Sequence, residues 1–230
     1  GTASSNSNGT ITSSVSANPS AGFSIVSYMG TGSAATIGHG LSQAPEWIFL
    51  KGRDNTHSWV TYDATSGATN YMALQTTQAT SANSSRWNNT TPTSTVFSIG
   101  THVSPNTNGD AVIAYCFHSV DGHSKVGSYT GNGSADGTFV HCGFRPAFVM
   151  IKKTSATGNW PMTNNKVLGY NPDNNELYAN LSQAEAASDS LDYLSNGFKL
   201  RRTSGEDNGS GQTYIFYAVA ESPFKHTNAR

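Results

Sequence analysis

The chain has 230 residues, enough for one large β domain or two small domains of about 100 residues each. Charged residues make up only 12%, and 13 basic against 14 acidic residues give a formal net charge of -1, which excludes a phosphate-dominated nucleic-acid binder. No apolar run approaches the ~20 residues of a membrane helix, and four Trp, ten Tyr and ten Phe are too many aromatics for a disordered chain.

Residues 1–21 are rich in Ser, Thr, Asn and Gly, with one short alternating stretch at 10–15. Such a segment buries too little apolar surface to fold alone, so it reads as an arm or linker that adds at most one edge strand. No charged-then-apolar leader opens the chain, and a start on Gly1 without Met predicts further protein upstream. Beyond residue 22 the apolar pattern has period two. Phe23-Ser-Ile-Val-Ser-Tyr28, Trp47-Ile-Phe-Leu50, Ser58-Trp-Val-Thr-Tyr62, Tyr71-Met-Ala-Leu74, Val96-Phe-Ser-Ile99 and Val112-Ile-Ala-Tyr-Cys-Phe117 all read as short strands. Asn-Gly and Asp-Gly pairs at 108, 121, 132, 196 and 208 punctuate them, and these residues tolerate the positive φ of tight turns. Only residues 181–187 look helical. The expected class is all-β.

An internal repeat organises the chain. Tyr28-Met-Gly-Thr-Gly-Ser-Ala34 matches Tyr129-Thr-Gly-Asn-Gly-Ser-Ala135, and Pro45-Glu-Trp-Ile-Phe-Leu-Lys51 matches Pro146-Ala-Phe-Val-Met-Ile-Lys152. Trp59 then falls on Trp160 at the same offset of 101 residues, and Gly109-Asp-Ala-Val-Ile-Ala-Tyr115 matches Gly211-Gln-Thr-Tyr-Ile-Phe-Tyr217 at 102. Each copy carries about seven short strands, which suits a sandwich of two antiparallel sheets. The expected division is an arm at 1–21, a first β-sandwich at 22–122 and a second at 126–230. One strand-exchanged jelly roll is the competing arrangement. Cys116 and Cys142 fall in different copies, so they read as buried free thiols not bonded to each other.

The phrases Ala21-Gly-Phe-Ser-Ile-Val-Ser-Tyr28, Thr36-Ile-Gly-His-Gly-Leu41, Trp87-Asn-Asn-Thr-Thr-Pro92, Gly143-Phe-Arg-Pro146 and the closing Pro223-Phe-Lys-His-Thr-Asn-Ala-Arg230 resemble a repeat of marine, cyanophage-like bacteriophage virion proteins. The resemblance spans nearly the whole chain. It implies a place on the virion surface in a fibre or tail protein, a lectin-like sandwich, and other virion subunits as partners. Phage fibres are commonly trimers, so it also implies a homo-oligomer. The second copy departs from the first, because Pro161-Met-Thr-Asn-Asn165 stands where Val60-Thr-Tyr-Asp63 follows Trp59.

No nucleophile motif, P-loop lysine or helical zinc-ligand pair is present, so the chain reads as non-enzymatic and without a cofactor. Gly-rich turns at 30–33 and 131–134 read as hairpins. His118 and His123 flank Asp121-Gly122 without a third metal ligand nearby. His39 and His141 sit near matching places in the repeat, which suggests a shared hydrogen-bonding role. Asp173-Asn-Asn-Glu176 resembles a piece of a calcium loop but lacks the full spacing. Trp47, Trp59 and Trp160 share slots across the copies and read as core. Trp87 has no counterpart and stands among Arg86, Asn88 and Asn89. A flat aromatic face beside amide and guanidinium groups has the parts of a glycan site; the other reading of Trp87 is an indole folded back onto the sandwich edge. The expectation is therefore a host-attachment module that binds a cell-surface glycan through Arg86, Trp87, Asn88 and Asn89. The alternative is a structural or decorating virion protein.

Overall fold

A computed structural model describes residues 1–167, 171 and 175–223. Strand accounts for 42% and helix for 5%, in several antiparallel sheets, so the class is all-β as expected. Internal contacts divide the chain into two compact units. Unit 1 is Gly1–Leu74 with Thr80–His118, and unit 2 is Gln75–Ala79 with Ser119–Arg230. Residues 1–21 are not a separate arm: they belong to unit 1. The division also falls ahead of residues 122–126, because the Asp121-Gly122 turn is closed by the Val120–Ser124 bridge on the unit 2 side.

Unit 1 contains β1 (Ser4–Asn6), β2 (Ser13–Asn18), β3 (Phe23–Met29), β4 (Ala35–Gly38), β5 (Trp47–Gly52), β6 (Val60–Asp63), β7 (Asn70–Ala73), β8 (Ser81–Ala82), α1 (Ser84–Trp87), β9 (Val96–Ile99), α2 (Val103–Asn106) and β10 (Ala111–Phe117). Its large sheet runs β1-β2-β3-β10-β5-β6-β7-β8, and β4 pairs with β9 in a small one. Alternation sets the faces. Ser24, Val26 and Tyr28 of β3 lie inward opposite Cys116, Ala114 and Val112 of β10. Ile37, Phe97 and Ile99 of the small sheet join the same core. Phe23, Phe49 and Phe117 cluster on the other face, with centroids 4.9 and 6.2 Å from Phe117.

A buried asparagine ties the ends of this unit together. Asn106 is 0% exposed. Its amide nitrogen donates to the Ser33 and Gly100 carbonyls (2.6 and 2.8 Å), and its amide oxygen accepts from the Thr31 N–H (2.8 Å). Beside it the Tyr28 hydroxyl donates to the Pro105 carbonyl (2.7 Å).

Unit 2 contains β11 (Ser124–Thr130), β12 (Phe139–His141), β13 (Pro146–Lys153), β14 (Pro161–Asn164), β15 (Leu177–Tyr178), β16 (Leu191–Leu194), β17 (Gly197–Leu200) and β18 (Thr213–Ala220). One sheet runs β11-β18-β13-β14-β15 and the other β12-β17-β16. Val149, Ile151, Tyr193, Phe198, Tyr214 and Phe216 build its core. Asn208, also 0% exposed, donates to the Ser134 and Arg202 carbonyls (both 2.8 Å) and accepts from the Asn132 N–H (3.1 Å). Residues 181–187 are not helical. They are exposed, and Ala186 bridges Glu176 to close a hairpin. Cys116 and Cys142 are free and buried, and burial pushes each thiol up to about 12.

Unit 2 also holds a fully buried lysine. The Lys152 ammonium donates to the Gly158 carbonyl (2.5 Å) and the Thr77 carbonyl (3.2 Å), and it lies 5.5 Å from the centre of the Trp160 ring. Burial lowers its pKa to about 8; Glu206 opposes that shift and Lys153 adds to it. Between about 8 and the ordinary 10.5, the unfolded chain binds more protons than the folded one, so stability rises with pH across that window. Thermal or urea unfolding of the native chain should show a gain of roughly 1–3 kcal/mol from pH 7.5 to 10.5. Lys152→Met should flatten that rise, and an identical rise in the variant would contradict the assignment.

Candidate functional site

The four residues expected to bind a glycan lie on and just after α1. Asn83 caps this single turn: its side-chain oxygen accepts from the Ser85 N–H (3.0 Å) and the Ser85 hydroxyl (2.6 Å). The short helix sends Arg86 and Trp87 inward. Asn88 and Asn89 end it at φ 52° and 48°, the left-handed region in which asparagine is among the tolerated residues.

Trp87 is therefore not an exposed stacking platform. It is 1% exposed and belongs to the core of unit 1, edge-on to Tyr62 at 5.6 Å. Nothing among the described residues accepts a hydrogen bond from its Nε1. Arg86 is 6% exposed and lies 4.3 Å from the centre of the Tyr71 ring. Burial lowers its pKa, and the Tyr71 hydroxyl opposes that shift. Its carbonyl accepts from the Gly100 N–H (2.9 Å). Both residues anchor α1 and offer no face to a ligand. The physical reason is periodicity: a helical turn puts consecutive residues 86 and 87 on the core side, while the polar neighbours that suggested exposure point outward.

Asn88 and Asn89 are exposed. Asn89 lines a shallow open groove of about 450 Å³ with Thr69, Ala82, Asn83 and Ser84. This groove offers amide and hydroxyl groups without an aromatic wall, which suits hydrogen bonding to a polar, uncharged ligand. Asn ahead of a short Ser-Ser-Arg-Trp run is a helix-start signal that could have marked Asn83 as a cap, but nothing in it points to a groove.

The strongest electrostatic cluster is elsewhere, in unit 2. Arg202 donates through Nε to both Asp207 oxygens (3.0 Å each) and through its terminal nitrogens to Glu176 (2.9 and 3.1 Å) and to the Ser188 hydroxyl. Tyr178 donates to Glu176. Burial pushes Asp207 up to about 6 although Arg202 pulls against it. The carboxylates are held by one guanidinium, so the group is a buried clamp between segments 176–188 and 202–207. Glu176 is thus engaged by Arg202 instead of completing a calcium loop; Asp173 and Asn174 lie outside the described residues.

The histidines do different jobs. His39 is fully buried: its Nδ1 accepts from the Leu41 N–H (3.1 Å) and its Nε2 faces the Thr93 carbonyl (3.1 Å). His141 is exposed on β12, so the two share no bonding role. His118 is buried and His123 half-buried. Among the described residues no group of three or more His, Cys, Asp or Glu is placed to hold a metal, and no helix is long and apolar enough to cross a membrane. His226 lies outside the described residues.

Trp87→Ala should lower the unfolding free energy by about 3–5 kcal/mol, as for other buried Trp truncations. Urea denaturation followed by Tyr and Trp fluorescence measures it. A loss below ~0.5 kcal/mol, the usual range for exposed positions, would restore Trp87 to the surface.

Neither a curated protein nor a solved structure matches the chain. A family model does match, over residues 1–223. The chain belongs to the family described as Domain of unknown function (DUF7483).

Proposed function

We propose that the chain is a surface module of a phage virion, of the fibre or tail kind, built from two copies of one β-sandwich unit and serving assembly. The duplication is supported strand by strand. In unit 1 the order β3-β10-β5-β6-β7 repeats in unit 2 as β11-β18-β13-β14-β15, and β4-β9 repeats as β12-β17. The Tyr28 hydroxyl bonds the Pro105 carbonyl (2.7 Å), and the Tyr129 hydroxyl bonds the Asp207 carbonyl (2.6 Å). Asn106 and Asn208 close corresponding turns. β1 and β2 extend the first copy, and β16 extends the second.

The assembly role is carried by one observation, the burial of Trp87. The residue that combined an aromatic face with flanking amides is part of the core, so the turn 84–89 stabilises unit 1. Host attachment is the second reading. It is favoured by the groove beside Asn89, where two asparagines at positive φ hold their amides in solvent.

Immunogold labelling of purified virions should place the chain on fibres or tail, and unlabelled particles would contradict the virion reading. A glycan array and binding to host cells separate the two roles. The assembly role predicts no saturable binding by the full chain. Saturable binding lost in Asn89→Gly, which keeps the positive φ and removes the amide, would contradict it and assign attachment to the groove.

A further inference from the structure

The small sheets of the two units have corresponding outer strands. Ile37 pairs with Phe97 in β4–β9, and Val140 pairs with Phe198 in β12–β17. Three residues further on, Gly40 and Gly143 both turn at positive φ (71° and 83°). Thr36 and Gly38 therefore correspond to Phe139 and His141. In an antiparallel pair the hydrogen-bonded residues alternate, and here they are the residues in between. The His39 N–H donates to the Thr95 carbonyl (3.3 Å) in unit 1. In unit 2 the Cys142 N–H donates to the Asn196 carbonyl (2.9 Å) and the Leu200 N–H to the Thr138 carbonyl (3.1 Å). The backbone groups of Thr36, Gly38, Phe139 and His141 thus point away from their sheets.

In unit 1 residues 10–14 cover that edge. Ile11 bridges Ile37 in parallel, and its N–H donates to the Thr36 carbonyl (3.1 Å). The Thr36 N–H donates to the Thr10 hydroxyl (2.9 Å), and the Ser13 hydroxyl donates to the Gly38 carbonyl (2.8 Å). The chain then continues into the large sheet, where Ser14 pairs with Ser27 of β3. One extended segment so closes both sheets, leaving Thr36 half-buried and Gly38 buried.

Unit 2 has only the beginning of such a cover. The Ser119 hydroxyl accepts from the Val126 N–H (3.0 Å), and Val120 bridges Ser124, so this stub closes the start of β11. Beyond it the outward backbone groups of Ser128, Phe139 and His141 have no partner among the described residues. All three residues are exposed, and Phe139 is an aromatic side chain at 43% exposure. β12 carries neither proline nor lysine, two residues that commonly guard an open edge. An edge of this kind is a template for a further strand.

We infer that the open β12 edge docks an extended segment of a partner protein, laid parallel to β12, in which a β-branched apolar residue stands between Thr and Ser as in residues 10–14. The inference rests on reading the units as two copies, and it gives the chemistry of a partner in the proposed assembly. The segment comes from a different protein, because in every copy of this chain residues 10–14 are already held by their own unit 1. In the docked state the apolar residue takes the place of Ile11 beside Val140, and its N–H donates to the Phe139 carbonyl. The Thr hydroxyl before it accepts from the Phe139 N–H, as Thr10 does from Thr36. The Ser hydroxyl two residues after it donates to the His141 carbonyl, as Ser13 does to Gly38. Main-chain bonds supply the affinity in this mode of recognition, and alternate side chains supply the specificity.

A fluorescein-labelled synthetic peptide of residues 8–16, added to the full chain, supplies these groups from outside. Fluorescence anisotropy should show saturable binding with a Kd below about 1 mM. Methylating the Ile11 nitrogen of the peptide removes the donor to Phe139 and should weaken binding at least about tenfold. Phe139→Pro in the chain should do the same, and a strand edge accepts this change because the lost N–H points outward. In the native chain the Phe139 and His141 amides should exchange about tenfold more slowly at saturating peptide. No saturation up to about 1 mM, binding indifferent to the methyl group or to Phe139→Pro, or unchanged exchange of the two amides overturns the inference. Self-association of the chain that Phe139→Pro abolishes also overturns it, since the edge would then belong to a second copy. Virion labelling does not depend on the peptide, so failure here is distinguishable from failure of the virion reading.

Discussion

In each unit one buried asparagine amide holds the turn where the chain leaves one sheet for the other. Asn106 binds the β3–β4 crossing through Thr31 and Ser33, and the β9–β10 crossing through Gly100. Asn208 binds the β11–β12 crossing through Asn132 and Ser134, and the β17–β18 crossing through Arg202. These crossings carry backbone groups that have no strand partner, and a buried polar group left unpaired costs about 1–3 kcal/mol. A primary amide has both donors and an acceptor, so it can serve both crossings at once. Aspartate has the shape without the donors, and leucine has neither. The aliphatic and aromatic cores of the units can form only where these crossings close, which is why two short polar side chains matter in a chain with few charges.

The same use of backbone carbonyls explains the buried lysine. Lys152 has no carboxylate within ion-pair distance among the described residues, yet two carbonyls and an indole face compensate part of the cost of burying an ammonium. The arrangement makes residues 75–79 an integral part of unit 2. Lys51 uses the same chemistry inside unit 1, where its ammonium donates to the main-chain carbonyls of Asn55 and His57 (2.8 Å each).

Much of the fold was legible in the sequence because period-two alternation is a local signal. Phe23 to Tyr28, Val96 to Ile99 and Val112 to Phe117 read as strands and are β3, β9 and β10. The segments 47–51 and 146–152, which the sequence repeat matches, both lie in strands, β5 and β13. What failed did so for non-local reasons. Residues 4–6 and 13–18 have almost no apolar content, but β2 pairs along β3 and β1 along β2, which satisfies their backbone and makes them strands. Residues 181–187 carry helix formers, and the Glu176–Ala186 pairing overrides that preference. Trp87 was misplaced because its neighbours in sequence are polar, whereas its neighbours in space are Tyr62 and the core of unit 1. The Asn106 and Asn208 ties were invisible, since a turn asparagine and a buried asparagine look alike in a chain so rich in the residue.

Amide hydrogen exchange tests the central claim, that each unit is closed by its own asparagine, most directly. In the native chain the Thr31, Gly32 and Asn132 amides should exchange only through opening of their units, far slower than surface loop amides. Asn106→Ala should speed Thr31 at least about tenfold, the factor for ~1.4 kcal/mol, and leave Asn132 unchanged. Asn208→Ala should do the reverse. Amides in the native chain exchanging as freely as an open loop, or unmoved by either substitution, would contradict the account.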